Sequence, residues 1–374
     1  MSKVKYPSVK LLECIKLSSG KFLPAKKRID GEYNVYGGNG VSGKHNDYFV
    51  EEPTIVIGRV GEYCGCVHIS NAKSWITDNA LYVTKFLKAF DIRYLCYVLN
   101  KENLNRLANV SGQPSISQAN ILNCSIKIPP LDIQKHIAET LDKGLEIISL
   151  HKKRLEELDN LIKSTFYDIF GDPVINDREW QLIKLSEITS KIGSGSTPRG
   201  GQQSYKESGI SLVRSLNVHN GFFKYEQLAY IDDDQAKQLE NVKLEENDVL
   251  INITGASVCR SCIIPSNVLP ARVNQHVSIL RGIDKFVNSF YLNNLLINNS
   301  YQNKLLVVAT SGGATREAIT KQQLQNLEIP LPPIELQNKF AQIVKKIEEQ
   351  KNLEKQAISE SENLFNSLMS KYFD

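Results

Sequence analysis

The sequence has few of the features that membrane, secreted and disulfide-bonded proteins require. No apolar run approaches the roughly 20 residues of a membrane-spanning helix. The first residues, MSKVKYPSVKLLEC, lack the apolar stretch of a secretory signal. The seven cysteines are odd in number and widely spread, which favours a reducing compartment over a disulfide framework. We therefore expect a cytoplasmic protein without a membrane partner.

The composition is otherwise ordinary, and 374 residues are enough for two or three domains with their own cores. The net charge of +4 is unevenly distributed, since residues 1–126 carry 16 basic and 10 acidic side chains. Within residues 174–330, eight acids lie in the stretch 226–248, which leaves 14 basic and 7 acidic residues elsewhere in that block. The pattern predicts either an ordinary solvated surface or two separate anion-binding faces.

A segment that begins with proline occurs twice, half a chain apart. IPPLDIQKHIAETLDKG at 128–144 matches LPPIELQNKFAQIVKKI at 331–347 with a constant offset of 203 residues. Gln134 thereby lies opposite Gln337. Proline suits the first turn of a helix and breaks a helix interior, so each copy predicts a helix start.

Apolar residues follow both starts at steps of three or four, which is typical of a long amphipathic helix near the coiled-coil period. In the first copy they are Ile137, Leu141, Leu145, Ile148, Leu155, Leu158, Ile162, Phe166 and Ile169. In the second copy they are Phe340, Ile343, Ile347, Leu353, Ala357, Leu364 and Leu368. FGDP at 170–173 predicts the end of the first helix. We expect an antiparallel helix pair between two domains; the alternative is that each helix covers its own domain.

The repeat continues, more weakly, into the segments around the helices. Residues 9–20 resemble 183–195, and 90–100 resemble 287–298, where each copy predicts a helix. The repeated unit is therefore a variable domain followed by a long helix. We predict an α+β fold in which two mixed α/β domains are joined by two long antiparallel coiled-coil-like helices, with a pseudo-twofold internal repeat. The predicted boundaries are 1–128 and 173–330 for the domains, and 129–172 and 331–374 for the helical regions.

The order and duplication of these segments resemble the specificity subunit of type I restriction–modification systems over essentially the whole chain. No single segment is specific by itself, but their order is. The segments that carry the resemblance are YNVYGGNGVSGKHNDY at 33–48, SGQPSIS at 111–117, GSGSTP at 193–198, SGGATREAIT at 311–320 and the two PP(L/I)(D/E)(I/L)Q helix starts.

The resemblance implies a non-catalytic subunit that recognises DNA. Each of its two target-recognition domains would read one half of an asymmetric bipartite double-stranded DNA site in the major groove. The helix pair would set the unread spacer and dock two modification subunits, which bind S-adenosylmethionine and methylate an adenine in each half-site. Restriction subunits, which use ATP and Mg, would join through them and cut unmethylated DNA. The chain itself would bind no cofactor.

The residues agree that the chain has no catalytic site. Both Pro-Pro pairs lack the (Asn/Asp)-Pro-Pro-aromatic pattern of adenine methyltransferases. GNGVSGKH at 38–45 resembles a phosphate-binding loop but has His45 where a magnesium-binding Ser or Thr is required. CGC at 64–66 and CRSC at 259–262 belong to different domains, so neither pair completes a zinc site. We expect no metal site, and we expect these cysteines to pack as small apolar residues.

Reading bases in the major groove requires Arg or Lys for guanine and Asn or Gln for adenine, on loops that reach the base edges. The candidates in the first domain are Lys44, His45, Arg59, Tyr63 and Gln113. The candidates in the second domain are Arg199, Arg214, Arg260, Gln275, His276 and Arg316. The Arg260 segment parallels that of Arg59, and the Arg316 loop matches that of Gln113. For each candidate, a phosphate contact or an exposed charge is the alternative.

Two other classes of protein compete with this interpretation. A DNA-independent coiled-coil scaffold or adaptor would use the helices for protein partners and would show no salt-dependent DNA affinity. An enzyme with an unfamiliar site would be active as an isolated chain. Within the family, a system that methylates without a restriction partner fits the sequence equally well.

Overall fold

A computed structural model of the chain describes residues 6–109, 112–198, 200–310 and 317–374. The chain divides into two compact units. Unit 1 comprises Met1–Lys152 and Gln356–Asp374, and unit 2 comprises Lys153–Lys355. Each unit combines a mixed α/β body with parts of two long helices, so the fold is α+β, as the sequence predicts.

Unit 1 contains a four-stranded antiparallel sheet, a three-stranded sheet and a two-stranded ribbon. Its strands are β1 (Ser8–Lys10), β2 (Ile15–Ser19), β3 (Tyr33–Gly37), β4 (Gly40–His45), β5 (Ile55–Gly58), β6 (Val67–Ile69), β7 (Trp75–Ile76), β8 (Ala80–Phe86) and β9 (Ser125–Lys127). Its helices are α1 (Ile92–Lys101), α2 (Gln118–Leu122) and the first part of α3 (Leu131–Phe170). The sheet orders are β2-β8-β5-β6, β4-β3-β7 and β1-β9, and among the described strands of this unit only the pair β3–β7 is parallel.

Unit 2 repeats this topology with one additional hairpin. Its strands are β10 (Leu182–Lys184), β11 (Thr189–Ser194), β12 (Ile210–Val213), β13 (Val218–His219), β14 (Phe222–Phe223), β15 (Ala229–Ile231), β16 (Val249–Asn252), β17 (Ser261–Ile263), β18 (Ala271–Val273), β19 (Val277–Gly282) and β20 (Glu328–Pro330). Its further helices are α4 (Leu185–Ile188), α5 (Asp233–Gln238), α6 (Ser289–Leu296), α7 (Asn299–Thr310) and α8 (Lys321–Gln325), together with the second part of α3 and the first part of α9 (Ile334–Phe373). The sheet orders β11-β19-β16-β17, β15-β12-β18 and β10-β20 correspond strand by strand to those of unit 1, and β12–β18 is the parallel pair. The internal repeat is therefore confirmed.

Both long helices begin, and α3 ends, where the sequence predicts. Helix α3 starts directly after Pro129–Pro130, and α9 starts directly after Pro332–Pro333. Helix α3 ends at Phe170, and Gly171 follows with a φ of +75°, in the left-handed region that glycine accepts most readily. The helices predicted within 90–100 and 287–298 are α1 and α6.

The two long helices run antiparallel within each unit. In unit 1, Lys152 Nζ lies 2.8 Å from Glu362 Oε1, and Gly144 leaves room for the Phe365 ring. In unit 2, Lys351 Nζ lies 2.7 Å from Asp159 Oδ1, and Phe340 packs its ring 5.7 Å from that of Phe166. Each domain is thus covered by segments of both helices. The antiparallel pairing is confirmed.

The apolar stripe of these helices is less continuous than predicted. Leu145, Leu353 and Leu364 are exposed by 44%, 58% and 62%. Near the exposed Leu353, Glu354 is buried instead and pairs with Arg154 at 3.1 Å. Ion pairs therefore replace apolar contacts along part of the helix interface, which a count of apolar spacing cannot detect.

The repeated glutamine of the helix starts joins each helix to its domain. Gln134 Oε1 accepts the backbone N–H of Asp91 at 3.1 Å, and Gln337 Oε1 accepts that of Asn288 at 2.9 Å. In both copies, Nε2 donates to the carbonyl of the proline five residues earlier. Both amides are buried. Asp91 and Asn288 cap α1 and α6, so the long helix is fixed to the start of the domain helix.

The principal cores lie between the four-stranded sheets and the helices. In unit 1, Ile57, Leu81 and Tyr94 pack with Leu141 of α3. In unit 2, Leu280 and Tyr291 belong to the corresponding cluster. Across the described ranges, no helix is both long enough and apolar enough to traverse a lipid bilayer.

Candidate nucleic-acid interface

In unit 1, three loops meet where the central strand β5 ends. The backbone N–H of Arg59 donates to the Asn79 carbonyl at 2.9 Å, and the Arg59 carbonyl accepts from Ile116 at 2.9 Å. The N–H of Gly61 donates to the Pro114 carbonyl at 2.8 Å. These bonds hold the turn after β5 against the loop before β8 and the segment before α2.

A glycine at the end of β5 brings a fourth loop to the same place. A Cβ added to Gly58 would collide with the carbonyl oxygens of Gly38 and Tyr63, so this position requires glycine. The turn between β3 and β4 therefore packs against the turn after β5. We define edge 1 by the exposed side chains that these loops carry: Asn39, Arg59, Tyr63, Asn79 and Gln113.

In unit 2, the equivalent of Gly58 is a buried asparagine. Asn252 Nδ2 donates to the Ser215 carbonyl at 2.9 Å and to the Val218 carbonyl at 3.3 Å. The same nitrogen lies 3.2 Å from Ser257 Oγ. In unit 2, a side chain thus joins the segment after β12 to the turn after β16. In unit 1, the main chain at Gly58 instead packs directly against the main chain of the β3–β4 turn.

The remaining loops of unit 2 converge at the ends of its parallel strands. The N–H of Asn274 donates to the Val213 carbonyl at 3.0 Å. Arg214 and Gln275, the residues that follow Val213 and Asn274 in sequence, therefore leave the sheet at the ends of the adjacent strands β12 and β18. His276 Nδ1 lies 2.6 Å from Thr254 Oγ1. We define edge 2 by the polar side chains at these loops: Thr197, Arg214, Thr254, Arg260, Gln275 and His276.

The structure brings together most of the described candidates but separates two of them. Arg59, Tyr63 and Gln113 lie at edge 1, and Arg214, Arg260, Gln275 and His276 lie at edge 2. Lys44 and His45 lie at the opposite end of the β3–β4 hairpin, on a strand rather than on the predicted loop. Arg199 and Arg316 fall outside the described residues.

His45 has a packing role that the sequence did not indicate. The residue is only 6% exposed, and its Nδ1 accepts the backbone N–H of Ile29 at 3.1 Å. The ring meets that of Trp75 edge-on, with centroids 5.4 Å apart. We therefore leave His45 out of edge 1. Lys44 is exposed beside it, and its contact with DNA stays a prediction.

The strand register corrects the residue alignment between the two copies. The carbonyls of Cys66 and Arg260 each accept the N–H of the last residue of the central strand, at 2.9 and 2.8 Å. Arg260 is therefore equivalent to Cys66, whereas Arg59 is equivalent to Ile253. The segments correspond as predicted, but the two arginines do not occupy the same position.

Sequence reasoning missed several polar residues at the edges. Asn79 immediately precedes β8, as His276 immediately precedes β19, so an alignment by strand ends would have found it. Asn39 lies with Gly38 in the two-residue turn between β3 and β4, and a Gly-Asn pair between two strands is a recognisable hairpin signal. Thr197 and Thr254 have no such signal, because only the folded loops bring them to Gln275 and His276.

The chemistry of the edges is hydrogen bonding. Burial raises the pKa values of the Cys259 and Cys262 thiols to about 12, so both remain protonated beside Arg260. Within the described ranges, no group of three or more His, Cys, Asp or Glu side chains could hold a metal ion. The edges present arginine, asparagine and glutamine side chains, the donors and acceptors that suit base edges and phosphates.

The two polar, loop-built edges on the duplicated α+β body present the donors and acceptors that DNA recognition uses. A family profile described as type I restriction modification DNA specificity domain matches residues 3–160 and 177–363. The chain belongs to this family. It is accordingly a specificity subunit of a type I restriction–modification system, a DNA-recognition component without a catalytic role of its own.

Known proteins are similar over nearly the full chain. The type I restriction enzyme MjaVIII specificity subunit of Methanocaldococcus jannaschii is 23% identical, over 96% of this chain and 91% of that protein. The crystal structure of the S subunit of a type I system from M. genitalium aligns with a TM-score of 0.67 at 15% identity, over 100% of this chain and 97% of that one. A chain solved in work on complex assembly and conformational transition of the type I R-M system aligns with a TM-score of 0.59 at 17% identity, over 98% of both chains. These structures share the fold described above.

Proposed function

We propose that the chain reads an asymmetric bipartite site on double-stranded DNA, with edge 1 at one half-site and edge 2 at the other, each in the major groove. The observation that carries this proposal is the recurrence of one strand framework with different side chains at its edge. Gly58 and Asn252 end equivalent strands, yet the loops around them present different donors and acceptors. Two different half-sites are what such a pair of edges would recognise.

The long helices would set the spacer and dock two modification subunits, through which restriction subunits join. Support comes from apolar side chains that the helices leave exposed, among them Leu150, Leu161 and Leu353. Covering these leucines with a protein partner would remove apolar surface from water, which favours association. S-adenosylmethionine would then be bound by the modification subunits, and ATP and Mg by the restriction subunits. Such a complex would act on DNA in the cytoplasm.

The adenine-methylation map of DNA exposed to the chain with its modification subunit and S-adenosylmethionine tests this function. We expect a two-part motif with a spacer of fixed length and indifferent sequence. Omission of the chain should abolish the motif.

A matched control variant keeps the test specific. Lys88→Ala with Lys285→Ala removes one exposed cation beyond the far end of β8 and one beyond the far end of β19, and it should leave the motif unchanged. If the complex assembles and binds S-adenosylmethionine but methylates no such motif, the function is wrong. A DNA-independent scaffold would then be the better interpretation, with no salt-dependent DNA affinity.

A further inference from the structure

Four polar side chains at edge 2 form one continuous hydrogen-bonded network. Thr197 Oγ1 bonds to Gln275 Oε1, and Gln275 Nε2 lies 3.2 Å from His276 Nε2. His276 Nδ1 in turn lies 2.6 Å from Thr254 Oγ1. The network joins the loop after β11, the loop between β18 and β19, and the loop after β16. Gln275, although exposed, is thereby held from two sides.

The network leaves a defined part of the hydrogen-bonding capacity of the Gln275 amide unused. With the amide in one orientation, Thr197 donates to Oε1, and Nε2 donates to His276. With the amide reversed, Nε2 donates to Thr197, and the oxygen accepts from His276. A primary amide has two N–H donors and an oxygen with two lone pairs. Both orientations therefore leave one N–H and one lone pair of Gln275 unused.

An amide that keeps one free donor and one free acceptor can complement adenine in the major groove, where N6 donates and N7 accepts. We propose that Gln275, held in place by Thr197 and His276, reads an adenine in the half-site bound by edge 2. The inference rests on the proposed function and names one base contact of it. Because the amide is ordered before DNA arrives, less conformational entropy is lost on binding.

Unit 1 provides an internal comparison. The N–H of Thr77 donates to the Tyr36 carbonyl at 2.8 Å, just as that of Asn274 donates to the Val213 carbonyl, so Asp78 occupies the place of Gln275. An ionised carboxylate can only accept hydrogen bonds, and it suits cytosine N4 rather than adenine. Asp78 adjoins Asn79 of edge 1, so a base contact at this position would not select the same base as Gln275, which is compatible with an asymmetric site.

The test uses the full chain in complex with its modification subunit, on duplexes that carry each single base-pair change in the mapped site. We expect Gln275→Ala to reduce discrimination at one A·T pair by about 5- to 150-fold, with the other positions unchanged. Gln275→Glu should move the preference at that pair towards C·G. Thr197→Val keeps the reading side chain but removes its support, so it should weaken discrimination at the same pair by a smaller factor. Lys285→Ala is the control and should change none of these preferences.

The results distinguish a failure of this inference from a failure of the proposed function, recognition of a bipartite DNA site. If the wild-type complex methylates a bipartite motif and Gln275→Ala keeps the same preference at every position, Gln275 reads no base and the function stands. A loss spread evenly over all positions would likewise overturn the inference, since it indicates a structural role or a phosphate contact. If the wild-type complex recognises no bipartite motif, both fail. Thermal unfolding of each variant identifies misfolding, in which case the Gln275→Glu and Thr197→Val profiles decide.

Discussion

The side chain of Gln337 and the backbone of Asn288 meet across 49 residues of sequence, where Oε1 accepts the N–H at 2.9 Å. The amide is fully buried, and its nitrogen donates to the carbonyls of Phe286 and Pro332 at 3.1 and 2.8 Å. Every partner of this side chain is main chain. The helix is therefore attached to the domain by a contact that does not depend on the neighbouring side chains.

Replacing Gln337 with leucine should destabilise the protein strongly. The change leaves the Pro332 carbonyl buried without its partner, at a cost of about 1–3 kcal/mol, and it removes the part-buried bonds to the Asn288 N–H and the Phe286 carbonyl, which water can partly replace. We expect a loss of about 2–4 kcal/mol in the free energy of unfolding, measured by urea titration. Gln350→Leu, an exposed position on the same helix, is the control. A loss equal to that of the control would show that the junction contributes no stability.

Asp91 should make stability depend on acid pH. Burial alone would raise the pKa of Asp91, but hydrogen bonds from the Arg93 side chain and from the backbone N–H groups of Tyr94 and Arg93 hold it below its usual value. A depressed pKa contributes stability above the unfolded-state value of about 4, and this stability is lost as the pH falls through the folded-state value.

Asp91→Asn, which installs the residue type that unit 2 has at Asn288, separates the two contributions. We expect the variant to be about 1–2 kcal/mol less stable at pH 7, since charge-assisted bonds become neutral ones. Its deficit should shrink below about pH 4. Unfolding titrations at pH 7 and pH 3 measure this, with the exposed Glu62→Gln as control. A deficit that is constant with pH would contradict the assignment.

Arg59→Ala and Arg260→Ala should affect different half-sites. A base contact should cost about 1–3 kcal/mol at one position, whereas a phosphate contact weakens all sequences alike and lowers the salt slope by about one. Methylation rates on duplexes with single base-pair changes distinguish these outcomes, with Lys88→Ala as control. If either variant changed the base preference within both half-sites, the assignment of one edge to each half-site would be wrong.

Lengthening both long helices by one turn should lengthen the tolerated spacer. Because the helices pair, we expect matched four-residue insertions, after Lys152 in α3 and after Lys355 in α9, to preserve the pair. One turn adds about 6 Å, which corresponds to roughly two base pairs. The methylation map reports the spacer directly. The same insertion after Glu52, in an exposed loop, is the control. If the helix variant kept the wild-type spacer, the helices would not determine the spacer length.

The sequence predicts best what is decided locally. The Pro-Pro pairs define both long-helix starts, and Gly171 marks the end of α3, because these residues act on the backbone beside them. The duplication is visible in sequence because the helices are the better-preserved part. The antiparallel pairing then follows from two long apolar stripes that need a partner.

The candidate site depends on contacts that sequence spacing does not encode. His45 resembles a loop residue until Trp75 and Ile29 enclose its ring. Arg260 resembles the counterpart of Arg59 until the hydrogen bonds of the sheet set the register. The loops differ in length between the two copies, so residues that match by eye lie at different places on the same framework. Only the pairing of the strands shows which residues of the two copies are equivalent.

The difference between Gly58 and Asn252 limits how the two halves could be recombined by design. A graft that put the asparagine into unit 1 would place its side chain against the Gly38 and Tyr63 carbonyls, and a glycine in unit 2 would release the segment after β12. Neither turn can therefore be transferred alone. The smallest segment set that could be exchanged is all the loops of one edge, together with the residue that ends the central strand, Gly58 or Asn252.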